Sequence, residues 1–428
     1  MTFERSGGTT MKYTFSQTDV KNIDSFAQAH GIFQQTSYWA DFRHIFRHTA
    51  FIGRDDSGQT VLTCLLLRLP VYTTGHSIGY ITRGFVCDWE NLELVGAFTE
   101  FLKEYCSKHR IIYIITDPYA DYKVEFAAPE PEKDLRAALE RFGWVRNDRA
   151  LLQPKTNYRL LIDRNSDPEL EWQRLYGKMN TKLKNHLRLC ENRGMYVEKY
   201  TGDELEPAVD KFYDMLVHTT EAKGFGRRPL KYYRGMAKAL RPFVTVYLHR
   251  CDMKKYIALA ESQQQQLRQK IAKAEAETDP ERRAAKQKSI DTDKKQIADI
   301  DVKIAKARAY PEDPYVHADF FIKMGNKSYS FFGASSPTLR ELKLTAGYLH
   351  MIRDSLDGQC ESFNIGGTLK LDTPDIKDDR MYELYLYKCE YAGQFVEHPG
   401  EFFLISNEKM FELFHNRLNY FKRIVFRF

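Results

Sequence analysis

Short apolar runs alternate along the chain with longer segments whose hydrophobic positions recur at helical spacing. Residues 61–69 and 111–115 are strand-like, and residues 92–109 between them have a helical pattern. The same alternation returns in residues 320–332, which are strand-like, and residues 339–356, which are helical. These patterns predict an α/β fold, and because 428 residues exceed the length of one ordinary domain, we expect two α/β lobes.

Residues 253–309 differ in composition from the rest of the chain. Gln, Lys, Ala, Glu and Asp dominate there, and glycine is absent. Apolar positions recur at alternating spacings of four and three residues, first along 253–274 and again along 290–307, which is the pattern of a coiled coil. Asp279 followed by Pro280 is typical of a helix start between the two parts. We therefore predict an antiparallel coiled-coil hairpin that projects on the order of 40 Å.

The predicted hairpin interrupts the second lobe between two strand-like segments, residues 243–249 and 317–323. Since both ends of a hairpin return to one place, it can be inserted between two strands without disturbing their sheet. The predicted domains are a first lobe of residues 1–155, a second lobe of residues 156–252 and 310–428 whose final segment is free to return to the first lobe, and an arm of residues 253–309.

Composition adds a weak preference for anionic partners. The chain has 64 Lys and Arg against 58 Asp and Glu, a formal net charge of +6. It contains neither an apolar leader nor a stretch of about eighteen apolar residues, so we expect a cytoplasmic protein without a membrane span. The seven scattered cysteines, with no Cys-x-x-Cys pair, indicate reduced thiols. His44 and His48 stand four residues apart without a carboxylate or third ligand, so no metal site is expected.

Seven short motifs occur in order along nearly the whole chain. They are Gln35-Thr36-Ser37-Tyr38-Trp39, Arg83-Gly84-Phe85-Val86, the segment from His109-Arg110 to Asp117-Pro118-Tyr119, Lys223-Gly224-Phe225-Gly226-Arg227-Arg228-Pro229 with Tyr232-Tyr233, Phe331-Phe332-Gly333-Ala334-Ser335-Ser336, Phe363-Asn364-Ile365-Gly366-Gly367, and Tyr387-Lys388. In these motifs, and in a coiled-coil arm at this place, the chain resembles the Fem aminoacyltransferases (FemABX type), which build the interpeptide bridges of bacterial peptidoglycan. The resemblance implies that both lobes are acetyltransferase-like (GNAT-type).

The resemblance also implies a reaction. An amino acid would pass from aminoacyl-tRNA, the co-substrate, to the side-chain amine of the diamino acid or growing bridge of a peptidoglycan precursor. The aminoacyl ester is already activated, so a deprotonated amine can attack it directly if the oxyanion is stabilised. No bound cofactor and no enzyme nucleophile are expected, in keeping with a sequence that lacks a Gly-x-Ser-x-Gly motif or a recognisable Cys-His arrangement.

The partners that the resemblance implies are aminoacyl-tRNA, a lipid-linked or UDP-linked muropeptide, the inner membrane surface, and a second copy of the chain or a related transferase. The arm is expected to engage tRNA or the partner subunit. The C-terminal residues 422–428 mix basic and apolar side chains, which suits either an anionic membrane surface or a last packed strand. A basic run on a helix predicted to start near residue 175 could follow a tRNA backbone or simply be a solvated face, and comprises Lys178, Lys182, Lys184, His186, Arg188 and Arg193.

Lys388 and Asp117 are the two predicted catalytic residues. Lys388 lies in a strand-like run, and the resemblance implies that it handles the tRNA 3′ end, holding a phosphate or the oxyanion. The adjacent Tyr387 is predicted to stack on a terminal base. Asp117 ends the run 111–116, where its carboxylate could position the acceptor ammonium or accept its proton. The alternatives are a lysine at a strand edge and an aspartate in a turn.

Four further residues are predicted to contact the acceptor. The resemblance assigns Arg228 and Tyr232 to the diphosphate and sugar region, and a guanidinium is suited to binding two phosphate oxygens at once. Arg43 is a weaker candidate for the same diphosphate, because Asp41 could be the residue that aligns with the basic position of the family. Phe332 stands where relatives can present a tyrosine, a departure that removes a hydroxyl donor.

Gly366, followed by Gly367, is the last predicted contact, because missing side chains would let a substrate approach the backbone. A simple turn explains the pair equally well.

Two other functions of the chain stay open. An acetyl-CoA-type N-acyltransferase would need an R/Q-x-x-G-x-G/A loop, which we do not find in the sequence. A non-enzymatic tRNA-binding protein would need no catalytic residues. The transferred amino acid and the acceptor form are not encoded in these motifs.

Overall fold

The computed structural model describes residues 12–71, 74–147, 152–224 and 226–415. The strands within these residues are β1 (Tyr13–Thr18), β2 (Arg47–Asp55), β3 (Thr60–Val71), β4 (His76–Ile81), β5 (Val86–Cys87), β6 (Ile111–Thr116), β7 (Lys123–Val124), β8 (Trp144–Asn147), β9 (Thr156–Leu161), β10 (Met195–Tyr200), β11 (Val244–Cys251), β12 (Tyr315–Met324), β13 (Lys327–Ser335), β14 (Ser362–Gly367), β15 (Gln394–Glu397) and β16 (Glu401–Ile405).

The α-helices within the same residues are interspersed with the strands along the chain. They are α1 (Asp24–Ala29), α2 (Ser37–Phe42), α3 (Leu92–Lys108), α4 (Leu135–Arg141), α5 (Pro168–Lys178), α6 (Thr181–Asn192), α7 (Leu205–Lys223), α8 (Leu230–Ala239), α9 (Met253–Glu275), α10 (Pro280–Arg308), α11 (Pro337–Glu341), α12 (Leu349–Asp354), α13 (Tyr382–Cys389) and α14 (Glu408–His415). None of the described helices is both long and apolar enough to cross a membrane.

The strands form two eight-stranded sheets of similar design. The first has the order β1-β2-β3-β4-β6-β16-β8, with β5 beside β3, and the second has the order β10-β11-β12-β13-β14-β9-β15-β7. Each begins with four consecutive antiparallel strands and continues with a parallel strand that follows a helical crossover, β6 after α3 and β14 after α11 and α12. The predicted α/β class is therefore confirmed, and the structure builds it from two sheets.

The two halves of the chain contribute strands to each other's sheets. Strand β16, late in the sequence, lies between β6 and β8 in the first sheet. Strand β7, early in the sequence, pairs with β15 at the edge of the second sheet. A site between the sheets can therefore draw residues from distant parts of the sequence.

Burial explains why the central elements form. All six residues of β6 are buried, as expected for a strand covered on both faces. Helix α3 begins after Asn91, whose side chain accepts a hydrogen bond from the Leu94 N–H at 3.1 Å. It buries one stripe of apolar side chains at helical spacing, among them Leu94, Phe98 and Leu102, against the first sheet.

Helices α9 and α10 form an antiparallel hairpin between β11 and β12. Asp279 caps α10 by accepting the N–H of Glu281 at 3.0 Å, and Pro280 occupies the first turn, as predicted. Two polar pairs join the helices, Gln264 with Asp301 at 2.6 Å and Lys270 with Asp293 at 2.8 Å. Their partner numbers run in opposite directions, which fixes the antiparallel arrangement. Buried isoleucines form the seam between the helices, namely Ile271, Ile290, Ile300 and Ile304.

Two predicted elements are each divided in the structure. Residues 320–332 belong to two strands, β12 and β13, because Gly325 adopts a left-handed backbone with φ +53° and turns the chain. Residues 339–356 do not form one helix. Lys343 has φ +52° and ends α11, while Leu342 and Leu344 on either side are buried in the core.

Two predicted site segments also differ in the structure. Lys388 lies on α13 and not in a strand, because the aromatic residues of this segment pack at helical spacing, as Tyr387 does with Tyr391 at 5.7 Å between ring centroids. The basic run spans two helices, since α5 ends at Lys178 and Asn180 caps α6 by accepting the N–H of Lys182 at 2.8 Å.

Candidate active site

A cavity of about 220 Å³ is lined by residues of both sheets. Its walls come from α2, α8 and the strands β4, β9, β13 and β14. Five of the predicted site residues line it, Arg43, Arg228, Tyr232, Phe332 and Gly366. We call it the arginine cavity, because Arg83 also contributes to its wall, so that three guanidinium groups face one space.

The arginine cavity is electrostatically positive. Among the described residues, none with a carboxylate side chain lines it. Arg43 follows α2 and is 4% exposed, whereas Asp41 is on the exposed side of the same helix. Burial lowers the pKa of Arg43, and the nearby positive charge of Arg228 lowers it further. Two neighbouring guanidinium groups in a largely buried space favour a bound anion.

Arg228 comes just before helix α8 and lies over an aromatic ring of that helix. Pro229 precedes the helix, which buries both Tyr232 and Tyr233 in its first turn. The guanidinium carbon of Arg228 lies 4.2 Å from the centroid of the Tyr232 ring and 6.0 Å from that of Phe332. A guanidinium that contacts an aromatic ring through its face can still bind a planar or tetrahedral anion through its N–H groups.

Asp117 does not line the arginine cavity but lies behind Arg83. It follows β6 and is buried, and its Oδ1 accepts the backbone N–H of Arg83 at 3.0 Å. Its Oδ2 is 3.6 Å from the Arg83 guanidinium, which also donates to the carbonyl of Pro154 at 3.2 Å. Arg83 has φ +63° and Gly84 φ +76°. A left-handed arginine is strained, so Asp117 holds Arg83 in a conformation that it would rarely adopt alone.

The environment of Asp117 changes its acidity. Burial raises the pKa of Asp117 to about 6, although the Arg83 guanidinium and backbone N–H oppose the effect. The carboxylate is charged at neutral pH and becomes protonated on mild acidification. This titration reaches the cavity through Arg83 and Tyr80, both of which line it.

Lys388 also lies behind the cavity wall. It is 3% exposed, and its ammonium donates to the carbonyls of Ile365 at 2.9 Å, Gly366 at 3.0 Å and Gly367 at 2.7 Å. Burial lowers the pKa of Lys388 to about 7. The backbone of Gly366 and Gly367 therefore separates the amine from the cavity, and Lys388 fixes the shape of that backbone.

Gly366 requires its lack of a side chain. It has φ +89°, and a Cβ atom there would lie 3.2 Å from the carbonyl oxygen of Ser330 and 3.8 Å from Lys388 Nζ. Its N–H donates to the side chain of Asn364 at 2.7 Å, and Asn364 in turn donates to the Tyr119 hydroxyl at 2.6 Å. The turn is thus tied on one side to Lys388 and on the other to the cavity wall.

Tyr387 is not brought to this site. It does not line the arginine cavity, and its hydroxyl interacts with the carbonyl of Ala346 and with the Tyr391 hydroxyl, both at 3.0 Å. Phe332, by contrast, faces the cavity and packs against Tyr233 with ring centroids 5.3 Å apart.

Several cavity residues were not among the predicted site residues. Arg83, Tyr119 and Asn364 lie within quoted motifs, so the motif positions were the available signal, yet nothing in the sequence showed that they face one space. His398 does not line the cavity but supports its wall, and no motif in the sequence pointed to it. It pairs with Asn157 of the cavity wall at 2.6 Å, and burial lowers its pKa to about 4.

The basic run is largely at the surface. Lys178, Lys182, His186 and Arg188 are exposed, whereas Lys184 donates to the carbonyl of Tyr176 at 3.1 Å. The predicted membrane contact at 422–428 lies outside the described residues.

A family model, curated relatives and a solved structure all relate this chain to one protein family. The model of the FemAB family matches residues 18–416. A lipid II:glycine glycyltransferase from Staphylococcus aureus is 25% identical over 410 residues, which cover 91% of this chain and 92% of that protein. The same protein from S. aureus strain Mu50 / ATCC 700699 matches equally well. A crystal structure of FemX has a TM-score of 0.66 at 22% identity and covers 93% of this chain and 99% of its own, which shows a shared fold.

Proposed function

Because the chain belongs to the FemAB family and is an aminoacyltransferase, we propose that it transfers an amino acid from aminoacyl-tRNA to a peptidoglycan precursor, by preference a lipid-linked one. The acceptor would be the side-chain amine of the diamino acid, or the terminal amine of a growing bridge. The lipid II named in the S. aureus relative supports the lipid-linked form.

The observation that carries the proposal is the arginine cavity. Arg43, Arg83 and Arg228 line this cavity, and none of the described residues that line it has a carboxylate side chain. Lipid-linked and UDP-linked precursors both contain a diphosphate, which offers several oxygens to guanidinium forks. The aromatic rings of Tyr232 and Phe332 on the same wall suit an attached sugar.

The chemistry needs orientation more than activation. The acceptor nitrogen forms a bond to the carbonyl carbon of the aminoacyl ester, and the bond from that carbon to the ribose oxygen breaks. The nitrogen loses a proton and the ribose oxygen gains one. The ester is already activated, so holding the amine near its carbonyl carbon supplies much of the rate. Hydrogen-bond donors near the reacting centre would stabilise the negative charge of the tetrahedral intermediate.

We assign Asp117 and Lys388 to positioning. Asp117 holds the strained Arg83 against the cavity, and Lys388 holds the carbonyls of the Gly366 turn. Neither side chain lines the cavity itself. In this assignment the two residues define the shape of a rigid wall on which the acceptor is oriented.

The exposed basic face of α6 and the hairpin of α9 and α10 are the proposed tRNA contacts. Lys182, His186 and Arg188 are spaced to follow a phosphate backbone. In this proposal the hairpin is a coiled-coil arm that engages tRNA or a partner subunit, either a second copy or a related transferase. The protein would work at the inner membrane surface, where a lipid-linked acceptor resides.

The direct test supplies the purified chain with a mixture of charged tRNAs and with either a lipid-linked or a UDP-linked precursor. Mass spectrometry should detect one added amino acid on the stem peptide or bridge, with the lipid-linked acceptor preferred. Uncharged tRNA and acetyl-CoA serve as controls. Transfer from acetyl-CoA, or no transfer from any charged tRNA to either acceptor, would contradict the proposal.

A further inference from the structure

Three histidines surround one buried carboxylate on the second sheet, and none of the four residues lines the arginine cavity. Asp319 on β12 is 1% exposed. Its Oδ2 lies 3.2 Å from His249 Nε2 and 3.4 Å from His350 Nε2, and its Oδ1 lies 3.1 Å from His317 Nε2. Three ring nitrogens therefore converge on a single carboxylate.

The sheet register and one helix create this cluster. Strands β11 and β12 are antiparallel, and His249 stands directly opposite His317. Asp319 is two residues beyond His317, so both point to the same face of the sheet. His350, at the start of α12, is placed over that face and lies 4.4 Å from the Tyr247 ring.

One of these nitrogens lacks a partner. The 3.4 Å approach of His350 Nε2 to Asp319 does not have hydrogen-bond geometry, so this buried nitrogen makes no hydrogen bond to any described residue.

We propose that His249, Asp319 and His350 bind a divalent transition-metal ion of the Zn²⁺ class. Ligand atoms at about 2.0–2.1 Å from a tetrahedral zinc ion are about 3.3 Å from one another. The two nitrogen-to-oxygen distances of 3.2 and 3.4 Å match that edge, and all three ligand atoms lie within 4.8 Å of one another. Two imidazoles with one carboxylate select zinc or its transition-metal neighbours over Mg²⁺ and Ca²⁺.

The surroundings provide the rest of a metal site. A cavity of about 120 Å³ is lined by His249 and His350 together with Tyr196, Thr345 and Gly347, and it leaves room for water as a fourth ligand and for entry of the ion. His317 orients the carboxylate from its other oxygen and is itself held by Ser335 Oγ at 2.8 Å. Such outer partners orient metal ligands in known sites. The ion would join α12 to β11 and β12.

The test uses the full-length chain without an affinity tag, first stripped with a chelator and then dialysed. Zn²⁺ titrated by calorimetry should bind with a stoichiometry of one per chain, raise the melting temperature, and resist competition by excess Mg²⁺. Co²⁺ in the same site should give the visible absorption of a four-coordinate ion. Both signals should be lost in His350→Gln and in Asp319→Asn, and retained in His186→Asn, which removes an exposed histidine from α6.

Two results would overturn the proposal: wild-type chain that binds no Zn²⁺ at micromolar concentration, or His350→Gln that binds it as tightly as wild type. If Asp319→Asn does not fold, as judged by circular dichroism, His350→Gln still gives a decisive comparison, because the His350 side chain is 14% exposed and Asp319 is fully enclosed. These measurements do not use aminoacyl transfer. A chain that binds no metal would therefore leave the proposed function untouched, and a chain without transferase activity would leave the metal site untouched.

Discussion

Arg43 and Arg228 in the cavity differ from Asp117 and Lys388 behind its wall in what their side chains can reach. Arg43 and Arg228 line the cavity, so both residues are placed to contact a substrate bound there. Asp117 and Lys388 instead interact with the backbone of the protein, through the Arg83 N–H and through three carbonyls near Gly366. We infer that the first pair acts on substrate affinity and the second on the shape and rigidity of the site.

The strongest test of this contrast is Lys388→Met. Three carbonyls in a buried position would lose their donor, which should lower the free energy of unfolding by about 2 kcal/mol. The Gly366 turn would shift, and misplacement of a substrate by about 1 Å can cost about 100-fold in turnover. Steady-state kinetics and urea unfolding measure the two effects. Lys377→Met, at an exposed lysine near α13, should change neither. A large rise in acceptor KM with unchanged turnover would place Lys388 among the substrate-binding cations instead.

Arg228→Lys should have the second largest effect and the opposite kinetic signature. The charge is kept, but the planar fork and its stacking on Tyr232 are lost, which should weaken acceptor binding by about 2 kcal/mol, or about 30-fold in Kd. Turnover at saturating acceptor should change little. Arg234→Lys on the same helix, at an exposed residue paired with Asp210, is the matched control. Equal losses in the two variants would contradict a specific anion site.

Asp117→Asn should cost about tenfold in turnover, because hydrogen bonds to a charged group contribute about 1.5–3 kcal/mol and only part is lost in an amide. The pKa of Asp117 is raised to about 6, so the carboxyl gains its proton as the pH falls through 6, well before an ordinary aspartate would. Wild-type activity should therefore decline from pH 7 to pH 5, while the variant stays low and flat over that range.

The control for this pH dependence is Asp88→Asn, at an exposed aspartate in the same half of the chain. It should keep the wild-type pH profile. If Asp117→Asn retains the acidic decline, the titrating group is another residue, and the positioning of Arg83 by Asp117 does not govern activity.

The smallest effect is expected from shortening the arm. Replacing residues 261–304 by a tight turn keeps the buried base of the hairpin, including Tyr256 and Ala307. Acceptor binding and the cavity should be unaffected, while tRNA affinity, measured by fluorescence anisotropy at low salt, should fall about threefold because phosphate contacts are lost. Loss of acceptor binding instead would show that the arm supports the fold of the cavity.

The sequence predicted the large elements well because their signals are local. The hairpin ends, the buried strand β6 and the amphipathic α3 follow from spacing and capping residues. Lys388 was misplaced in a strand because the alternation Leu384-Tyr385-Leu386-Tyr387 before it imitates a strand, whereas packing of the tyrosines at helical spacing makes a helix.

The predicted site depended on tertiary contacts that no local pattern contains. Arg43 and Arg228 are far apart in sequence, and only the fold brings them into one cavity. The role of Arg83 depends on a left-handed backbone held by Asp117, and Tyr387 turned out to face a tyrosine cluster. The cluster around Asp319 was invisible for the same reason, since its histidines come from two strands and a helix.

We propose above all that the arginine cavity binds the diphosphate of the acceptor. The most direct measurement compares, by calorimetry, the affinity of the chain for the UDP-linked muropeptide and for the same muropeptide without its diphosphate, in wild type and in Arg228→Lys. We predict that wild type prefers the diphosphate form by about 100-fold, or about 3 kcal/mol, and that Arg228→Lys loses most of this preference. Equal affinity of the wild-type chain for the two ligands would contradict diphosphate binding in the arginine cavity.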